Sequence, residues 1–544
     1  MLSIICFTLQ AQSTWTDVYT LMQTNCTQSS CHNNADLAGG LDLQGTGGNQ
    51  NQQQANAYNN IYFATPNNSF AQSKHYRIAY PGNPYESSLF RKINNELAID
   101  VILDPNEGLA CPQDGSTLDD EEIELVRQWI LAGCDESGNV VSQNMISDYY
   151  NNGGIASVTS PPAPPDPAEG FQIHLGPFFI QPNTEKEIFS LMDTHLPDLT
   201  EINRIEVLYG GYSHHAIVYK LEDTSNINPS NYGMRGVDFE NDIRLVVATQ
   251  EPVDFHFPNG TAIELDGDAK LDMNSHYINY SPDKVLACDV YVNFYTQAAG
   301  TALHIMESEL LPEYDIAIPP TGDTVTFTQS STEFVNFPIP IYLWAISSHT
   351  HKLATDFDIY HRLSNGQKGA QIFDASCDGG IPGCSSGYYD YQHPPMMYKM
   401  PFEKIQLNEG IIYEASYAND GPNWVYWGET SEDEMMLTVI MYTFDTTGLG
   451  ALNPTGFQPI PISSSGKFYP NPMNDYLIVD LSNINYFQSG TMTLFDLVGR
   501  KVKEIAVNNH EQTILYRDNL LSGIYFYRIS DDDTIYGSGK IIVR

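Results

Sequence analysis

Gly210-Gly211-Tyr212-Ser213-His214-His215 lies in a region, residues 171–448, where Tyr, Ile, Val, Phe and Thr recur in short runs broken by Gly, Pro, Asn and Asp. That pattern belongs to short strands ending in turns, and it predicts β-sandwiches. Three further signals share the region: His276 in Met273-Asn274-Ser275-His276-Tyr277, His349-Thr350-His351, and Met435 in Asp433-Glu434-Met435-Met436. Residues spaced i, i+2 on a strand project from one face, so His349 and His351 can converge on one ion without distortion. Adjacent histidines project oppositely. His214 and His215 can share an ion only through a bulge, a strand end or different ring nitrogens. Each signal alone is weak, because a lone strand histidine is an ordinary core or surface residue and Met435 can simply pack in its apolar run. Their combination carries the reading.

The order His-His, His-Tyr, His-Thr-His, Asp-Glu-Met resembles the ascorbate-dependent type II copper monooxygenases, which amidate peptides or hydroxylate dopamine. Phe257-Pro258-Asn259-Gly260, ahead of His276, also matches. The resemblance implies two jelly-roll-like β-sandwich copper domains, 170–310 and 311–450, and two coppers per chain. By that resemblance His214, His215 and His276 hold a copper that stores an electron. His349, His351 and Met435 hold the copper where O₂ is used and a C–H bond is attacked. Ascorbate or another one-electron reductant would supply two electrons singly. Three imidazoles suit either copper state, while a thioether favours Cu(I). The chain departs from the family at Met436, where Cys is usual, and a local Cys377–Cys384 bridge is the replacement to expect. The residues that grip a peptide carboxylate in the family are also replaced, by Ser347, Leu437 and Val439. No cationic fork remains there. A small neutral or apolar non-peptide substrate is the expectation.

Ahead of this core, Cys26-Thr27-Gln28-Ser29-Ser30-Cys31-His32 is a longer-spaced version of the C-x-x-C-H haem attachment motif. Residues 13–137 resemble a small, mainly α cytochrome c-like domain through Gly39-Gly40-Leu41-Asp42-Leu43, Pro81-Gly82-Asn83-Pro84 and a helix ending at Trp129-Ile130. In that helix Thr117 or Asp119 is the expected cap, and Ile123, Val126, Trp129 and Ile130 form its apolar face. The resemblance implies covalent haem c on Cys26 and Cys31 with His32 as axial ligand, delivering electrons to copper. The family's Met ligand is missing, since no Met occurs between Met22 and Met145. Three alternatives follow: His75 is the second ligand, the iron has an open position, or haem is lost and Cys26 simply pairs with Cys31. A Cys111–Cys134 bridge is a further expectation.

The ends complete the organisation. Leu2 to Leu9 is a short apolar run, and residues 1–12 read as a signal peptide, truncated at its start. Residues 138–169 and 451–466 read as Pro-, Gly- and Ser-rich linkers. Residues 467–544 resemble the type IX secretion C-terminal sorting domain of Bacteroidetes, a small Ig-like β-sandwich, on Tyr469-Pro470-Asn471-Pro472 and Leu521-Ser522-Gly523-Ile524-Tyr525. That implies the type IX secretion machinery as a partner and a secreted or cell-surface destination reached through the periplasm. The remaining seven cysteines, after Cys6 goes with the signal, are an odd number, so at least one thiol stays out of disulfides.

Bulk properties bound the function. A chain of 544 residues is too long for one core, and three or four domains are expected. Sixty-seven acids against 25 bases give a net charge of −42, which argues against nucleic acid or anionic membrane as partner. No run of 18 apolar residues is present, so no membrane span is expected. The reading is an exported copper monooxygenase with a small substrate. Its rival is a non-catalytic copper-binding or adhesive surface protein that keeps the fold.

Overall fold

The computed structural model describes residues 13–113, 116–210, 212–236, 243–249, 252–333, 339–376, 389, 391, 394–428, 432–449, 467–471, 473–481, 489–495, 501–508, 512–530 and 535–544. The expected signal peptide, the 451–466 linker and the Cys377–Cys384 bridge lie outside them. The described chain is mainly β. It divides into two compact units, residues 1–310 and 311–544.

The first unit opens with helices Thr14–Asn25, Gln50–Ile61, Ser69–Ser73, Ser88–Ile93, Asp120–Leu131 and Gln143–Asn151. Their starts are fixed by side chains that satisfy otherwise orphaned backbone N–H groups. Ser13 accepts from Thr16, and Asp119 forms a reciprocal capping box with Glu122. Trp15 stacks on Trp129 at 5.2 Å between ring centroids, and both rings are fully buried. Phe179, Val285 and Ala287 of the following β region belong to this same core.

The β region has two sheets packed face to face. One runs in the order Thr184–Asp193, Lys270–Asn279, Ser213–Leu221, Ile243–Thr249, and the other, seven-stranded, is built around Leu286–Ala298. Tyr277 of the first sheet meets Phe178 of the second edge-on at 5.9 Å and donates its hydroxyl to the Asp289 carbonyl at 2.6 Å.

The stretch 138–169, expected to be a linker, is instead woven into this unit. Gln143–Asn151 is a helix capped by Ser142, and Ile155–Ala156 pairs in parallel with Leu286–Ala287. Pro- and Gly-rich composition masked the apolar stripe of Met145, Ile146, Tyr149 and Tyr150, which packs on the helical core. The helical and β parts also meet at backbone distance. Met234 N–H donates to the Leu131 carbonyl at 3.0 Å, and a Cβ on Gly233 would sit 2.6 Å from Gly133 Cα.

In the second unit, one sheet contains Glu307–Pro312, Met436–Thr443, Ile341–Thr350 and Met397–Ile405 in that order. The other contains Thr324–Ser330, Gly410–Ala418, Ala354–Arg362 and Lys368–Asp374. Phe357, Phe373, Tyr413, Tyr417, Ile346 and Ile440 fill the space between them. Residues 467–544 form a three-stranded and a four-stranded sheet around their own core of Leu477, Val479, Leu494, Leu515 and Ile541.

Candidate metal centres

His215 lies opposite His276 in the antiparallel pair Ser213–Leu221 and Lys270–Asn279. The register slips between Ser213 and His215, so His214 sits in a β-bulge. The bulge turns two adjacent histidines to one side, which a regular strand forbids. The three rings form a triangle with centroid separations of 5.2 to 5.5 Å, and one ligand atom from each lies within 4.8 Å of the other two. His214 Nδ1 and His215 Nδ1 are 3.2 Å apart. Two nitrogens each about 2.0–2.1 Å from one tetrahedral metal ion are about 3.3 Å apart. The pair is therefore spaced as two ligands of one ion would be.

The neighbouring strand Thr184–Asp193 decides which ring nitrogens face inward. Glu187 lies opposite His276, and Glu185, two residues earlier, shares its face. His276 Nε2 is 3.2 Å from Glu185 Oε2. His215 Nε2 is 2.7 Å from Asn274 Oδ1 and 3.3 Å from Glu187 Oε1, while Asn274 Nδ2 donates to Glu187 Oε1 at 2.9 Å. An amide whose NH₂ faces a carboxylate must turn its oxygen to His215. His215 therefore carries its proton on Nε2 and leaves the Nδ1 lone pair for a metal. Burial pushes the Glu187 carboxyl up, but hydrogen bonds from His215 and Asn274 and the charges of His215 and His276 outweigh it and hold it at about 2. Burial and the charge of His215 lower the His276 pKa, against the pull of Glu187 and Glu185. The net lowering at His276 favours a neutral imidazole there, as metal ligation requires.

The second group is carried by Ile341–Thr350 and Met436–Thr443. Ser347 pairs with Val439, His349 with Leu437 and Thr350 with Met436. One step further along this register, Met435 falls opposite His351. Directly opposed residues share a face, so His349, His351 and Met435 project together with Ser347, Leu437 and Val439. The two imidazoles are 5.4 Å apart between centroids and nearly perpendicular. Glu434 pins the turn, accepting the His351 N–H at 2.9 Å and the Leu353 N–H at 2.6 Å. Burial pushes its carboxyl up to about 7 despite these backbone donors. His351 Nδ1 is 3.0 Å from the Asp433 carbonyl, and Tyr417 O–H donates to the Met435 carbonyl at 2.7 Å. Glu185, Glu187 and Asn274 were missed in the sequence. The i, i+2 pair Glu185 and Glu187 was its available signal.

The cysteine-rich segment holds neither of the two disulfides considered for it, Cys26–Cys31 and Cys111–Cys134. Cys26, Cys31, Cys111, Cys134 and Cys288 are all free thiols. The Cys111–Cys134 bridge is absent because the two have different neighbours: Cys134 is fully buried near Tyr58 and Tyr62, whereas Cys111 lies near Cys26 and Cys31, its backbone N–H donating to the Lys92 carbonyl. Burial pushes the Cys26 thiol up to about 12, helped by Cys111 and Cys31 nearby. His32 Nδ1 is buried without a hydrogen bond, and burial lowers its pKa. His75, expected as a possible haem ligand, instead lies flat on His195 of the β region at 4.5 Å.

Residues 467–544 match the family model "Secretion system C-terminal sorting domain". This tail is a type IX sorting domain, and the chain is exported, to the cell surface or beyond it. Among the described residues no helix is long and apolar enough to cross a membrane. No curated protein matches the chain. Among solved structures, the major capsid protein P2 of bacteriophage PM2 is 8% identical, with a TM-score of 0.21, over 51% of this chain and 99% of that one. A glycosyl hydrolase family 2 member from Bacteroides cellulosilyticus is 17% identical, with a TM-score of 0.17, over 40% of this chain and 26% of that one. The infectious bursal disease virus VP2 particle gives 11% identity and a TM-score of 0.15 over 57% and 80%. Similarities of this size carry no weight for fold or function.

Proposed function

We propose that the chain is an exported copper-dependent monooxygenase that hydroxylates a C–H bond of a small neutral substrate. The observation that carries this is the His214, His215 and His276 triangle, with the Nδ1 atoms of His214 and His215 at ligand spacing and the Nε2 atoms of His215 and His276 engaged from outside. Copper, when bound, supplies one-electron chemistry, and a site with a thioether favours its reduced state. The chain's own residues set the rest. Glu185, Glu187 and Asn274 orient imidazoles, and Glu434 holds the backbone of His351 and Leu353 beside Met435.

The substrate class follows from what shares a face with the second group. Ser347, Leu437 and Val439 offer one hydroxyl and two aliphatic side chains, and the Ser347 hydroxyl already donates to the Pro395 carbonyl at 3.1 Å. A carboxylate would find no cation there. A haem on Cys26 and Cys31, with His32 as ligand, belongs to the same reading, and the unbonded His32 Nδ1 fits it. The test is copper and haem analysis of protein matured through its native export route. Two coppers per chain are expected, falling to one in Met435→Ala with loss of O₂-dependent turnover. A chain that takes up no copper sinks the proposal.

A further inference from the structure

The tail 467–544 has two sheets whose outer faces differ in character. Its three-stranded sheet runs Lys467–Tyr469, Tyr476–Asp480, Thr513–Tyr516. Leu477, Val479 and Leu515 point into the core and are fully buried. Alternate residues therefore point outward. Tyr476 lies opposite Tyr516, and Ile478 lies opposite both Tyr469 and Ile514, so these five side chains form two adjoining rows on one face. Tyr469, Tyr476, Ile514 and Tyr516 are 41%, 47%, 45% and 55% exposed. Polar groups stand at one end of the face, where Gln512 Nε2 donates to the Tyr469 hydroxyl at 3.0 Å and to Asp480 Oδ2 at 3.1 Å.

The outer face of the four-stranded sheet is covered by charge instead. Thr493 lies opposite Glu504 and Arg528, Glu504 accepts from Lys501 Nζ at 2.9 Å, and the Arg528 guanidinium lies over the Phe495 ring at 5.5 Å. A solvated sheet face ordinarily carries such polar cover. Three tyrosines and two isoleucines in one patch, with polar groups at its margin, have the make-up of a protein contact surface.

The occupant follows from what this unit is for. The match to a secretion system sorting domain means that export machinery recognises residues 467–544. The patch spans three strands about 4.8 Å apart and two rows about 7 Å apart, on the order of 200–300 Å². A stable dimer needs about 800 Å² per partner. A contact of this size is readily made and released, which suits a passenger handed through an export channel and not a permanent second copy. We propose that the face of Tyr469, Tyr476, Ile478, Ile514 and Tyr516 is the surface by which the export machinery, through an apolar protein surface of its own, takes hold of the chain. The proposal rests on the sorting-domain match and is independent of the copper reading.

The test is export of the full-length chain from a bacterium carrying the type IX system, read as the share at the cell surface and in the medium against the share in the periplasm. Tyr476→Thr, Ile514→Thr and Tyr516→Thr together remove the patch but keep residues that suit strands. The exported share should fall about tenfold, with the melting curve of the purified chain unchanged. Tyr476→Phe with Tyr516→Phe keeps the rings and should export normally. So should Phe526→Thr, which removes an aromatic 41% exposed on the other sheet. If the triple variant does not fold, Tyr516→Glu alone, on an edge strand that tolerates charge, gives the same reading. Native-level export of a folded triple or Tyr516→Glu variant overturns the proposal, and a change from dimer to monomer in that variant would assign the face to a second copy. An equal loss in Phe526→Thr overturns it too. Deletion of residues 467–544 separates the two levels. Lost export there with native export in the folded triple variant overturns the face alone, and intact export there overturns the sorting role and the proposal with it.

Discussion

Replacing Glu187 by Gln tests whether the first histidine triangle is a preorganised metal site. The change keeps the shape of the side chain and removes its charge. In the native chain Glu187 Oε1 receives Asn274 Nδ2 at 2.9 Å, and this holds the amide oxygen 2.7 Å from His215 Nε2. A Gln at 187 can present its own NH₂ to Asn274. The Asn274 amide is then free to turn, offering its NH₂ to His215 and pushing the imidazole proton to Nδ1, where it occupies the ligand lone pair. Loss of an outer carboxylate or amide around a ligating histidine typically lowers metal affinity about 10–100-fold. Loss of charge alone should fall near tenfold, or about 1.4 kcal/mol, and a tautomer flip near a hundredfold, or about 2.7 kcal/mol. The assay is competition for Cu(II) against a chelator of known affinity, with copper counted per chain and the far-ultraviolet spectrum as folding control. An unchanged affinity in a folded Glu187→Gln chain would refute the reasoning. It would mean that the outer carboxylate merely solvates a surface cluster.

Three further outcomes follow from the same structure. Gly233→Ala puts a methyl group 2.6 Å from Gly133 Cα and 2.7 Å from the Ala132 carbonyl, so the first unit should lose about 1–3 kcal/mol in a urea titration. Burial opposes protonation of His195, but the Glu86 carboxylate, 2.9 Å away, outweighs it and raises the pKa. A raised histidine pKa stabilises below the unfolded value near 6.5 and stops doing so as pH rises through the folded value. Glu86→Gln should therefore cost up to about 1 kcal/mol at pH 5.5 and almost nothing at pH 9, and an equal loss at both would contradict the pairing. Deleting residues 467–544 should leave the remaining chain folded and metal-binding but unexported, and normal release of the truncated chain would count against the sorting role.

Much of the second metal group was legible because it obeys strand periodicity. His349 and His351 share a face by spacing alone, and the antiparallel register carries Met435 to the same face. The first group was legible only as a condition, that two adjacent histidines need some irregularity, and the slip at Ser213 supplies it. Glu185, Glu187 and Asn274 were not legible as a set, because Glu187 meets His276 only after residues 89 positions apart pair across strands. The 138–169 stretch misled for a different reason. Its Pro and Gly content is real, but Gln143–Asn151 finds an apolar surface to pack against, and tertiary contact overrides composition. His75 was one of three alternatives left open by the missing Met, and its ring is stacked on His195.

The way the helical part and the first β region share one core changes what the cysteine segment can do. A domain tethered by a flexible linker would deliver electrons by diffusing to its partner, at a rate set by linker length. Here Phe179, Val285 and Ala287 complete the core that contains Trp15, Trp129 and Cys26. Gly133 and Gly233 touch at backbone distance, and Gln128 Nε2 donates to the Pro177 carbonyl at 2.6 Å. A redox group on Cys26, Cys31 and His32 would therefore stand at a fixed separation from His214, His215 and His276, inside one compact unit. Transfer between them would then be independent of protein concentration and insensitive to solvent viscosity. Mutations that loosen the Gly133–Gly233 contact would slow it without touching either ligand set.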